Sequence, residues 1–578
     1  MNILGLSAFY HEASACLLRD GGIVAALSEE RLSREKHDPG FPLKSIRECL
    51  RIAGIGVHDI DHVAWYENPQ MKRERQLSHA SEDLWLSSPP ELPEHSIRYA
   101  LGYDGEIDFF PHHLSHAASA YYCSGYRDAA VMVVDGVGEW ATTSLGTASP
   151  EGIEFLDEVL FPHSIGLLYS TVTSFLGFKV NNGEYKVMGL APYGQPRFAE
   201  QFRTLLKNSE GADFTLDLKY FNFSGKGKMF TKEFSELFSL PPRQANDTLE
   251  QMHKDIARSL QLVLEETLLQ KTNYLYAKTN TKNLCFAGGV ALNCVANGRI
   301  LREGPFESLF VQPAAGDAGG ALGAALLAAA KHTSGAYTAN PINNVYWGPS
   351  YSNCTIKKSL KGMGIKHEDY TGETESILSQ LVEALVAGKV LGLLSGRMEF
   401  GPRALGARSI LADPRHPDMR NIINRLVKKR EGFRPFAPAI MEAYASHYFD
   451  IDHASPFMLE TCSVKSGHEL PAITHVDNSA RPQTVPPGED TLLPALLEAF
   501  YAATECPLLL NTSFNVRGEP IVCSPEDAVR SFIYSDLDIL VLEHQLIRKD
   551  GIPEGLKNLI TAQPMTQSRI TSDAYTFI

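Results

Sequence analysis

The stretch that decides the fold is residues 129–147, AAVMVVDGVGEWATTSLGT. Its first six residues form an apolar run of strand length, and the sequence DGVG at 135–138 is typical of a tight turn. Residues 141–146 and 153–159 are predicted to form two further strands. The pattern therefore indicates a strand–turn–strand unit that places a carboxylate, Asp135, directly after a buried strand.

The same unit occurs at the N-terminus, 127 residues earlier, where residues 2–8, 13–18 and 23–27 are apolar runs of strand length. The DGG sequence at 20–22 is a hairpin signal between the last two runs. A helix pattern follows over residues 42–53. Two such units in one chain predict a duplicated α/β core.

Further strands and helices follow the second unit. A long amphipathic helix is predicted over residues 248–278, and strands at 284–287 and 309–312 each lead through glycines into a helix. A glycine turn before a helix lets backbone N–H groups approach a phosphate, although a tight turn needs glycine in any case. Three such turns in one duplicated core favour an actin-like ATPase fold: Gly136/Gly138, Gly288/Gly289 and Gly316/Gly319.

A candidate linker separates this core from a second α/β region. Periodicity fails over residues 333–353, where Gly, Pro, Asn and Ser accumulate. Beyond it we predict a helix at 375–387, strands at 390–394 and 508–510, and a well-capped helix start at 524–527. The predicted organisation is a domain over residues 1–340, a second over 350–550, and a loosely ordered tail over 551–578.

Composition excludes several classes of protein. The 578 residues are 44% hydrophobic and carry a net charge of −15, which fits a soluble multi-domain protein and argues against a broad nucleic-acid surface. The nine cysteines include no C-x-x-C pair, so a disulfide framework or thiolate zinc site is not expected. The N-terminus lacks a signal-peptide pattern and the apolar run at 318–330 is too short to span a bilayer, which predicts a cytoplasmic protein without membrane contact.

One group of residues suits a metal ion. His112 and His116 are four residues apart, so on a helix both imidazoles point to one side, whereas His113 points elsewhere. A histidine pair at this spacing is more often structural than metal-binding. Asp135 and Asp317, which follow predicted strands, strengthen the metal interpretation because strand ends present ligands at one sheet edge. Such a mixed N/O donor set suits iron, zinc or manganese.

The C-terminal region contains a basic cluster that the acidic total conceals. Arginine and lysine side chains that converge on a pocket suit an anionic, phosphate-bearing ligand. The run Lys428 to Arg430 is by itself typical of a solvated surface, whereas Arg434 lies between Phe433 and Pro435-Phe436, where a solvated surface is less expected. The candidate residues of this pocket are Arg403, Arg408, Lys428, Arg434, Arg481, Asn511 and Ser513.

With these residues in view, the chain resembles the O-carbamoyltransferases of the NodU/CmcH family, and within it most closely those of saxitoxin pathways. The resemblance extends over about residues 1–550. Several motifs carry it in one order: HEASA, EERLSREKHDPGFP, HHLSHAASAYY, VVDGVGEWATT, GEYKVMGLAPYG, FAGGVALNCVANGRI, QPAAGDAGGALGAA, GRMEFGPRALGARSILADPR, FRPFAPAI and LLLNTSFNVRGEPIV.

The resemblance implies two active sites. A C-terminal YrdC-like domain would make carbamoyl-adenylate from carbamoyl phosphate and ATP with Mg²⁺, and an N-terminal TsaD-like domain of actin-like (ASKHA) fold would transfer the carbamoyl group to a hydroxyl. His112, His116, Asp135 and Asp317 correspond to the family's metal ligands, with Fe²⁺ or another divalent transition metal, and His11 to its general base. The segments that bind the adenylate contain Lys36, Gly136, Gly138, Glu139, Gly166, Gly289 and Asn293, and of these Lys36 is, with His11, a candidate catalytic residue. The ATP and carbamoyl-phosphate pocket corresponds to the basic cluster, in which either Lys428 or Lys429 faces the phosphate.

Two other functions stay open at this point. One is a tRNA threonylcarbamoyl-type transferase, against which the acidic charge and the absence of a basic patch in residues 195–246 argue. The other is a non-catalytic actin-like ATP-binding regulator, which would leave the His112/His116/Asp135 cluster unexplained. The acceptor is expected to be a small-molecule alcohol that contacts residues 68–88 and 195–246, and both a monomer and a homodimer are open.

Overall fold

The structure is a computed structural model that describes residues 1–78, 89–223, 227–333 and 340–562. The chain divides into two compact units. The first consists of Met1–Glu29 and His37–Ile342, and the described part of the second consists of Glu30–Lys36 and residues 343–562. The boundary at Ile342 lies within the stretch where sequence periodicity fails, and residues 340–352 contain no helix or strand.

The first unit contains two five-stranded sheets with one shared order. The first sheet has the order β3-β2-β1-β4-β5 and the second the order β8-β7-β6-β11-β12. In each, two antiparallel pairings lead to a central strand, β1 or β6, whose other neighbours are parallel. The duplicated α/β core predicted from the sequence is therefore present. The strands are β1 (Asn2–Ser7), β2 (Ser14–Arg19), β3 (Gly22–Ser28), β4 (His62–Trp65), β5 (Ile107–Phe109), β6 (Ala129–Val134), β7 (Ala141–Ser149), β8 (Gly152–Leu160), β9 (Leu206–Asn208), β10 (Phe214–Leu216), β11 (Asn283–Ala287) and β12 (Ser308–Val311).

Local sequence explains the first hairpin. Arg19 pairs with Gly22, so the turn between β2 and β3 consists of Asp20 and Gly21. Both turn residues have positive φ, 50° and 80°, as a two-residue hairpin that matches the strand twist requires. The DG dipeptide supplies the two residue types that adopt this conformation at low cost.

Two helices rich in small residues pack closely in the first unit. Helix α12 packs against β1 and against α5. A Cβ atom at Gly5 would lie 2.0 Å from the Ala321 carbonyl oxygen, and one at Gly323 would lie 1.7 Å from the Ser115 carbonyl oxygen. Only glycine allows backbones to approach this closely. The helices up to residue 342 are α1 (Glu30–Ser33), α2 (Leu43–Ala53), α3 (Pro69–Ser78), α4 (Leu92–Leu101), α5 (His112–Ser124), α6 (Ile165–Phe175), α7 (Glu184–Leu190), α8 (Ala199–Leu205), α9 (Lys232–Phe238), α10 (Gln251–Thr279), α11 (Cys294–Glu303) and α12 (Ala318–His332), of which α1 belongs to the second unit.

The second unit is built on an eight-stranded mixed sheet with the order β13-β22-β21-β14-β15-β20-β16-β19. Its core contains the apolar strands β14 and β21 and the helices α14, α17 and α18 that pack on the sheet or on each other. The strands are β13 (Glu368–Asp369), β14 (Leu391–Leu394), β15 (Arg408–Ala412), β16 (Ala437–Met441), β17 (Cys462–Ser463), β18 (Ser479–Ala480), β19 (Gln483–Val485), β20 (Leu508–Ser513), β21 (Ile539–Leu542) and β22 (Gln545–Arg548). The helices are α13 (Asn353–Gly362), α14 (Thr374–Val386), α15 (Met419–Ile422), α16 (Ala445–Tyr448), α17 (Leu493–Thr504), α18 (Pro525–Tyr534) and α19 (Glu554–Thr561).

Two expectations about chain segments differ from the structure. The predicted loose tail begins with a helix, α19, because Leu556 packs on the core of the second unit and the Tyr534 hydroxyl donates to the Ile560 carbonyl oxygen at 2.6 Å. The rest of that tail, residues 563–578, lies outside the described residues.

The segment Glu30–Lys36, which sequence position assigns to the first domain, belongs to the second unit. The reason is hydrogen bonding by two arginines. Arg31 donates to the Gly401 carbonyl oxygen at 2.8 Å, and Arg34 donates to the carbonyl oxygens of Pro520 and Ile521 at 2.9 and 2.7 Å.

No helix among the described residues has both the length and the apolar character that a membrane crossing requires. All nine cysteines are free thiols, as expected from their spacing. Cys354 is exposed and the other eight are buried.

Candidate functional site

The first candidate site is at the start of helix α5. His112 and His116 are one helical turn apart, and both are buried, with 1% and 0% of their surface exposed. The Glu139 carboxylate accepts the His112 backbone N–H at 2.9 Å and that of Asn68 at 2.6 Å. Glu139 thereby fixes the first turn of the helix, where backbone N–H groups lack partners within the helix.

Two aspartates complete this cluster. Asp135 directly follows strand β6, and Asp317 lies in the connection between β12 and α12, immediately before the helix. Nε2 of His112 and Nε2 of His116 are 3.0 Å apart, and lie 3.2 and 3.1 Å from the Asp135 Oδ2 atom. The same two nitrogens lie 3.6 and 3.5 Å from the Asp317 Oδ1 atom.

Backbone groups aim the Asp135 carboxylate at the imidazoles. Its Oδ1 atom accepts the N–H groups of Gly136 at 2.7 Å and Gly289 at 3.2 Å, which leaves Oδ2 for the histidines. A Cβ atom at Gly166 would lie 2.4 Å from the Asp135 carbonyl oxygen, and one at Gly138 would lie 3.1 Å from the His112 side chain. The four predicted glycines, Gly136, Gly138, Gly166 and Gly289, thus all lie beside Asp135 or His112.

The donor set fits a divalent transition metal. The four ligand atoms all lie within 4.8 Å of one another, and donor atoms bound to one metal at about 2.1 Å are about 3 Å apart. Burial raises the pKa of Asp135, but hydrogen bonds from His112 and His116 outweigh it and hold the pKa well below its usual range. Burial lowers the pKa of His116, but the bonds to Asp135 and Asp317 outweigh it and raise the pKa to about 9. His116 holds its proton more tightly than usual here. Because metal ligands must be deprotonated, a bound ion would take the place of the protons that these side chains share.

His11, the predicted base, lies at the margin of this cluster. Its Nε2 atom is 3.7 Å from the Asp317 Oδ2 atom, and its ring lies against that of Tyr10 at a centroid distance of 4.4 Å. The flanking residues Phe9 and Glu12 have φ values of 67° and 57°, a left-handed conformation that is costly for bulky side chains and concentrated at functional sites. The loop therefore places His11 next to His112, His116, Asp135 and Asp317, which we call the metal-type cluster.

One pair was not predicted from the sequence. Glu12 forms an ion pair with His37, with the Glu12 Oε1 and His37 Nδ1 atoms 3.3 Å apart. His37 also has positive φ, 57°. The signal was present in the HEASA motif, which contains Glu12, but only the three-dimensional structure brings residue 37 beside it.

Two predicted adenylate-binding residues are engaged with the protein itself. The Asn293 side chain accepts the Ala296 N–H at 3.0 Å as a helix cap and exchanges two hydrogen bonds of 3.0 Å with Gln261. Glu139 is similarly bound to backbone N–H groups, as described above. In this structure both residues organise the site.

The second candidate site is the basic cluster of the second unit. Lys428 is buried, and its ammonium donates to the Ser513 carbonyl oxygen at 2.5 Å and the Asn515 Oδ1 atom at 2.7 Å. Burial, together with the positive charges of Arg430, Arg434 and Lys36, lowers the pKa of Lys428 well below its ordinary value. Lys429 is exposed and donates to the Tyr534 carbonyl oxygen instead. Of the two lysines, Lys428 is therefore the one in the cluster, and Lys36 lies with it.

Two further residues of this cluster lie on strand β20. Asn511 and Ser513 are two residues apart on that strand and so face the same side. The Asn511 amide donates to the Gln483 Oε1 atom at 2.8 Å and to the carbonyl oxygen of Ala404, next to Arg403, at 3.3 Å. Among the described residues, the buried Asn511 Oδ1 atom and the buried Nε of Arg481 have no hydrogen-bond partner.

Arg408 differs from the expectation. It is wholly buried, and its guanidinium donates to the carbonyl oxygens of Cys523, Ser395, Gly396, Ala407 and Pro349.

A second organising residue, Glu399, was not predicted. One carboxylate oxygen of Glu399 accepts the N–H groups of Leu405, Ala407 and Arg408 at 2.7 to 3.0 Å. Arg408 and Glu399 thus shape the loop that presents Arg403.

Two family models match these two parts of the chain. The model described as Carbamoyltransferase N-terminus matches residues 2–99 and 97–326, and the one described as Carbamoyltransferase C-terminus matches residues 382–549. The chain belongs to the carbamoyltransferase family. This confirms the resemblance found in the motifs, and the chain is an enzyme of this class.

Curated relatives extend over most of the chain. An uncharacterized protein of Synechocystis sp. is 43% identical and the alignment covers 96% of this chain and 97% of the relative. Nodulation protein NolNO of Sinorhizobium fredii is 38% identical over 99% of this chain and 84% of its own length. Nodulation protein NolO of Bradyrhizobium diazoefficiens is 39% identical over 76% and 78%.

One distant resemblance to a solved structure covers a little over half of this carbamoyltransferase. Component A of the (R)-2-hydroxyglutaryl-CoA dehydratase of Acidaminococcus fermentans aligns with 16% identity over 57% of this chain and 98% of that chain. The TM-score is 0.32, which is too low to support a conclusion about fold or function.

Proposed function

We propose that this carbamoyltransferase is ATP-dependent and acts on a hydroxyl of a small-molecule natural product. In this proposal the second unit, as a YrdC-like domain, joins the carbamoyl group of carbamoyl phosphate to AMP from ATP·Mg²⁺, and the first unit, as an actin-like, TsaD-like domain, transfers it. The observation that carries the proposal is His11 at the edge of the His112/His116/Asp135/Asp317 cluster, with 3.7 Å between His11 and Asp317.

The basic cluster supports the activation step. In this step water cleaves carbamoyl phosphate to carbamate and phosphate, and a carbamate oxygen then attacks the α-phosphorus of ATP and releases pyrophosphate. Two polyanions must therefore be held close together. Lys428, Arg434 and Lys36 provide converging positive charge whose mutual repulsion a phosphate group would relieve. The partnerless Asn511 Oδ1 atom and Arg481 Nε group supply an acceptor and a donor to a bound ligand.

The first unit supports the transfer step. The alcohol oxygen attacks the carbamoyl carbon, the C–O bond to AMP breaks, and the alcohol proton must be removed. A metal held by His112, His116, Asp135 and Asp317, Fe²⁺ or another divalent ion, would act as a Lewis acid toward the carbamoyl group. His11 accepts the alcohol proton in this proposal, and the imidazolium formed lies beside the Asp317 carboxylate, which stabilises it.

The segment after β4 is the proposed acceptor side. Glu139 bonds both the His112 and Asn68 backbone, so helix α3 starts beside the metal-type cluster. Lys72 on α3 is buried and pairs with Glu67 at 2.9 Å. Of the other predicted acceptor segment, the described part contains a phenylalanine core in which Phe238 contacts Phe202 and Phe234 at ring distances of 5.1 and 5.0 Å. Residues 79–88 and 224–226 of these segments lie outside the described residues.

An assay of the first half-reaction tests the proposal. Purified enzyme with ATP, Mg²⁺ and carbamoyl phosphate should release pyrophosphate only when both substrates are present, and a panel of hydroxylated natural products should then raise AMP release. If the enzyme is instead a tRNA threonylcarbamoyl-type transferase, its activity should require threonine, bicarbonate and tRNA and should not depend on carbamoyl phosphate. Pyrophosphate release that does not depend on carbamoyl phosphate would contradict the proposal.

A further inference from the structure

A second histidine–carboxylate cluster lies in the first unit, remote in sequence from the metal-type cluster. His62 begins β4, Glu106 and Asp108 lie at the start of β5, and His332 ends α12. We call these four residues the distal cluster. Helix α12 starts directly after Asp317 and ends at His332, so its 15 residues place the two clusters about 22 Å apart.

The distal cluster brings three potential metal ligands together. One ligand atom each from His62, Glu106 and His332 lies within 4.8 Å of the others. The two imidazole rings stack with centroids 3.6 Å apart and an angle of 12° between their planes. Two imidazoles with one carboxylate form a donor set that zinc and neighbouring transition metals bind well.

Asp108 prepares His332 as a ligand. The carboxylate is buried, with 3% of the side chain exposed, and its Oδ2 atom is 2.8 Å from the His332 Nε2 atom. When Nε2–H donates to this carboxylate, the Nδ1 atom of His332 keeps its lone pair. Carboxylate–histidine pairs of this kind orient the histidine ligands of many metal sites.

His62 has one ring nitrogen for which no hydrogen-bond partner is found among the described residues. Its ring stacks on His332, but its Nδ1 atom is buried without a hydrogen-bond partner. A buried ring nitrogen without a hydrogen-bond partner costs free energy of folding, and a metal ion bound to the ring would change the orientation that the ring adopts. Lone pairs lie in the ring plane, so the nearly parallel rings require His62 to turn about its side-chain torsions before both can bind one ion.

We propose that the distal cluster binds one divalent transition-metal ion, of the zinc class, through His62, His332 and Glu106, with Asp108 as the outer partner of His332. The ion ties the C-terminal end of α12 to the starts of β4 and β5. Lys331 occupies the cation position in this structure, since its ammonium lies 3.4 Å from Glu106 Oε1 and also pairs with Asp108. Metal binding therefore displaces Lys331 from Glu106.

The test measures Zn²⁺ binding by calorimetry on chelator-stripped full-length protein. The His112→Ala/His116→Ala variant removes the first cluster and should bind about one Zn²⁺ per chain. Adding His62→Ala should weaken this binding about tenfold or more, whereas His58→Ala should not change it. His58 is a matched control because it is in the same unit and 86% of its side chain is exposed. Lys331→Gln should tighten binding, because it removes the competing ammonium.

Several results would overturn the proposal. These are no Zn²⁺ binding to the double variant, equal affinity of the His62→Ala and His58→Ala proteins, or weaker binding by Lys331→Gln. If the double variant does not fold, the number of Zn²⁺ ions bound per chain is measured on protein that keeps His112 and His116. It should fall from two Zn²⁺ to one with His62→Ala, and a constant stoichiometry contradicts the distal cluster. The inference does not rest on the proposed reaction, since the readout is metal binding alone.

Discussion

At the scale of single residues, His11 connects the metal-type cluster with the chemistry of transfer. It lies within ion-pair distance of Asp317 but is not one of the four clustered ligands. Two nearby residues in the same loop, Phe9 and Glu12, have left-handed backbone conformations. Strained backbone of this kind is concentrated at functional sites, which agrees with the proposed role of His11 as the base.

We expect His11→Asn to lower carbamoyl transfer by about 10²- to 10⁴-fold, the usual range for loss of a general base. Pyrophosphate release from ATP and carbamoyl phosphate should stay near the wild-type rate, because the basic cluster belongs to the other unit. The measurement is transfer from supplied carbamoyl-adenylate, with His58→Asn as the control. Transfer within about tenfold of wild type would assign the base elsewhere, and His37, which pairs with Glu12, would be tested next.

For the basic cluster we expect loss of the activation step and not of the transfer step. Arg434→Ala should abolish carbamoyl-adenylate formation, since a lost charge-assisted phosphate contact commonly costs a few kcal/mol, and should leave transfer from supplied carbamoyl-adenylate nearly intact. Lys429→Ala is the matched control, because Lys429 is exposed and bonds the Tyr534 carbonyl oxygen. Pyrophosphate release and transfer are measured separately on each protein. A folded Arg434→Ala protein that fails in both steps contradicts the division into two sites.

At the scale of helices and strands, the close contact between α12 and α5 explains why α12 has a glycine, Gly323, at that point. Gly323 of α12 lies against the Ser115 carbonyl oxygen of α5, the helix that carries both histidines. The register between these helices fixes where Asp317 lies relative to His112 and His116. Close packing is therefore part of how the fold builds the cluster.

Gly323→Ala should destabilise the protein by about 1–3 kcal/mol or more, the usual cost of overpacking, because a Cβ atom there would lie 1.7 Å from the Ser115 carbonyl oxygen. It should also weaken metal binding, since α5 and α12 must shift apart. The control is Gly362→Ala in α13, where a Cβ atom would meet nothing within 4 Å. Chemical denaturation and metal titration measure the two effects. Equal stability of the two variants would show that the helices accommodate the methyl group.

The sequence predicted elements where local pattern decides them. The apolar run of β6, the DG turn after β2 and the i, i+4 spacing of His112 and His116 are local features, and the structure has each of them. Ser524 likewise forms the predicted cap, with its hydroxyl accepting the Asp527 N–H at 3.2 Å. Short-range periodicity and capping carry this information because they depend on neighbours in sequence.

The sequence did not reveal roles that distant contacts decide. Arg408 is adjacent to a glycine-rich motif and looks like a ligand-binding residue, yet backbone carbonyls from 349 to 523 engage its guanidinium. The assignment of Glu30–Lys36 to the second unit depends on Arg31 and Arg34 reaching carbonyl oxygens about 370 and 490 residues away. Helix α19 forms because Leu556 finds a core to pack on.

At the scale of the whole molecule, the chain consists of two units that each have their own sheets. The second unit has a continuous apolar core that extends from Ile356 to Ile552. The first is built on the duplicated five-stranded sheets. Each proposed half-reaction belongs to one unit, so ligands of the two steps should stabilise different parts of the chain.

Differential scanning calorimetry should therefore resolve two unfolding transitions with separate ligand responses. Removal of metal by a chelator should lower one transition only, and ATP·Mg²⁺ with carbamoyl phosphate should raise the other, because a ligand at about 100 times its Kd stabilises the unit that binds it by about 2.7 kcal/mol. His116→Ala should reduce the chelator response to the part that the distal cluster contributes and keep the nucleotide response, whereas Arg434→Ala should keep the full chelator response and lose the nucleotide response. A single transition that responds to both ligands would mean that the two units unfold together and that the two steps share one cooperative structure.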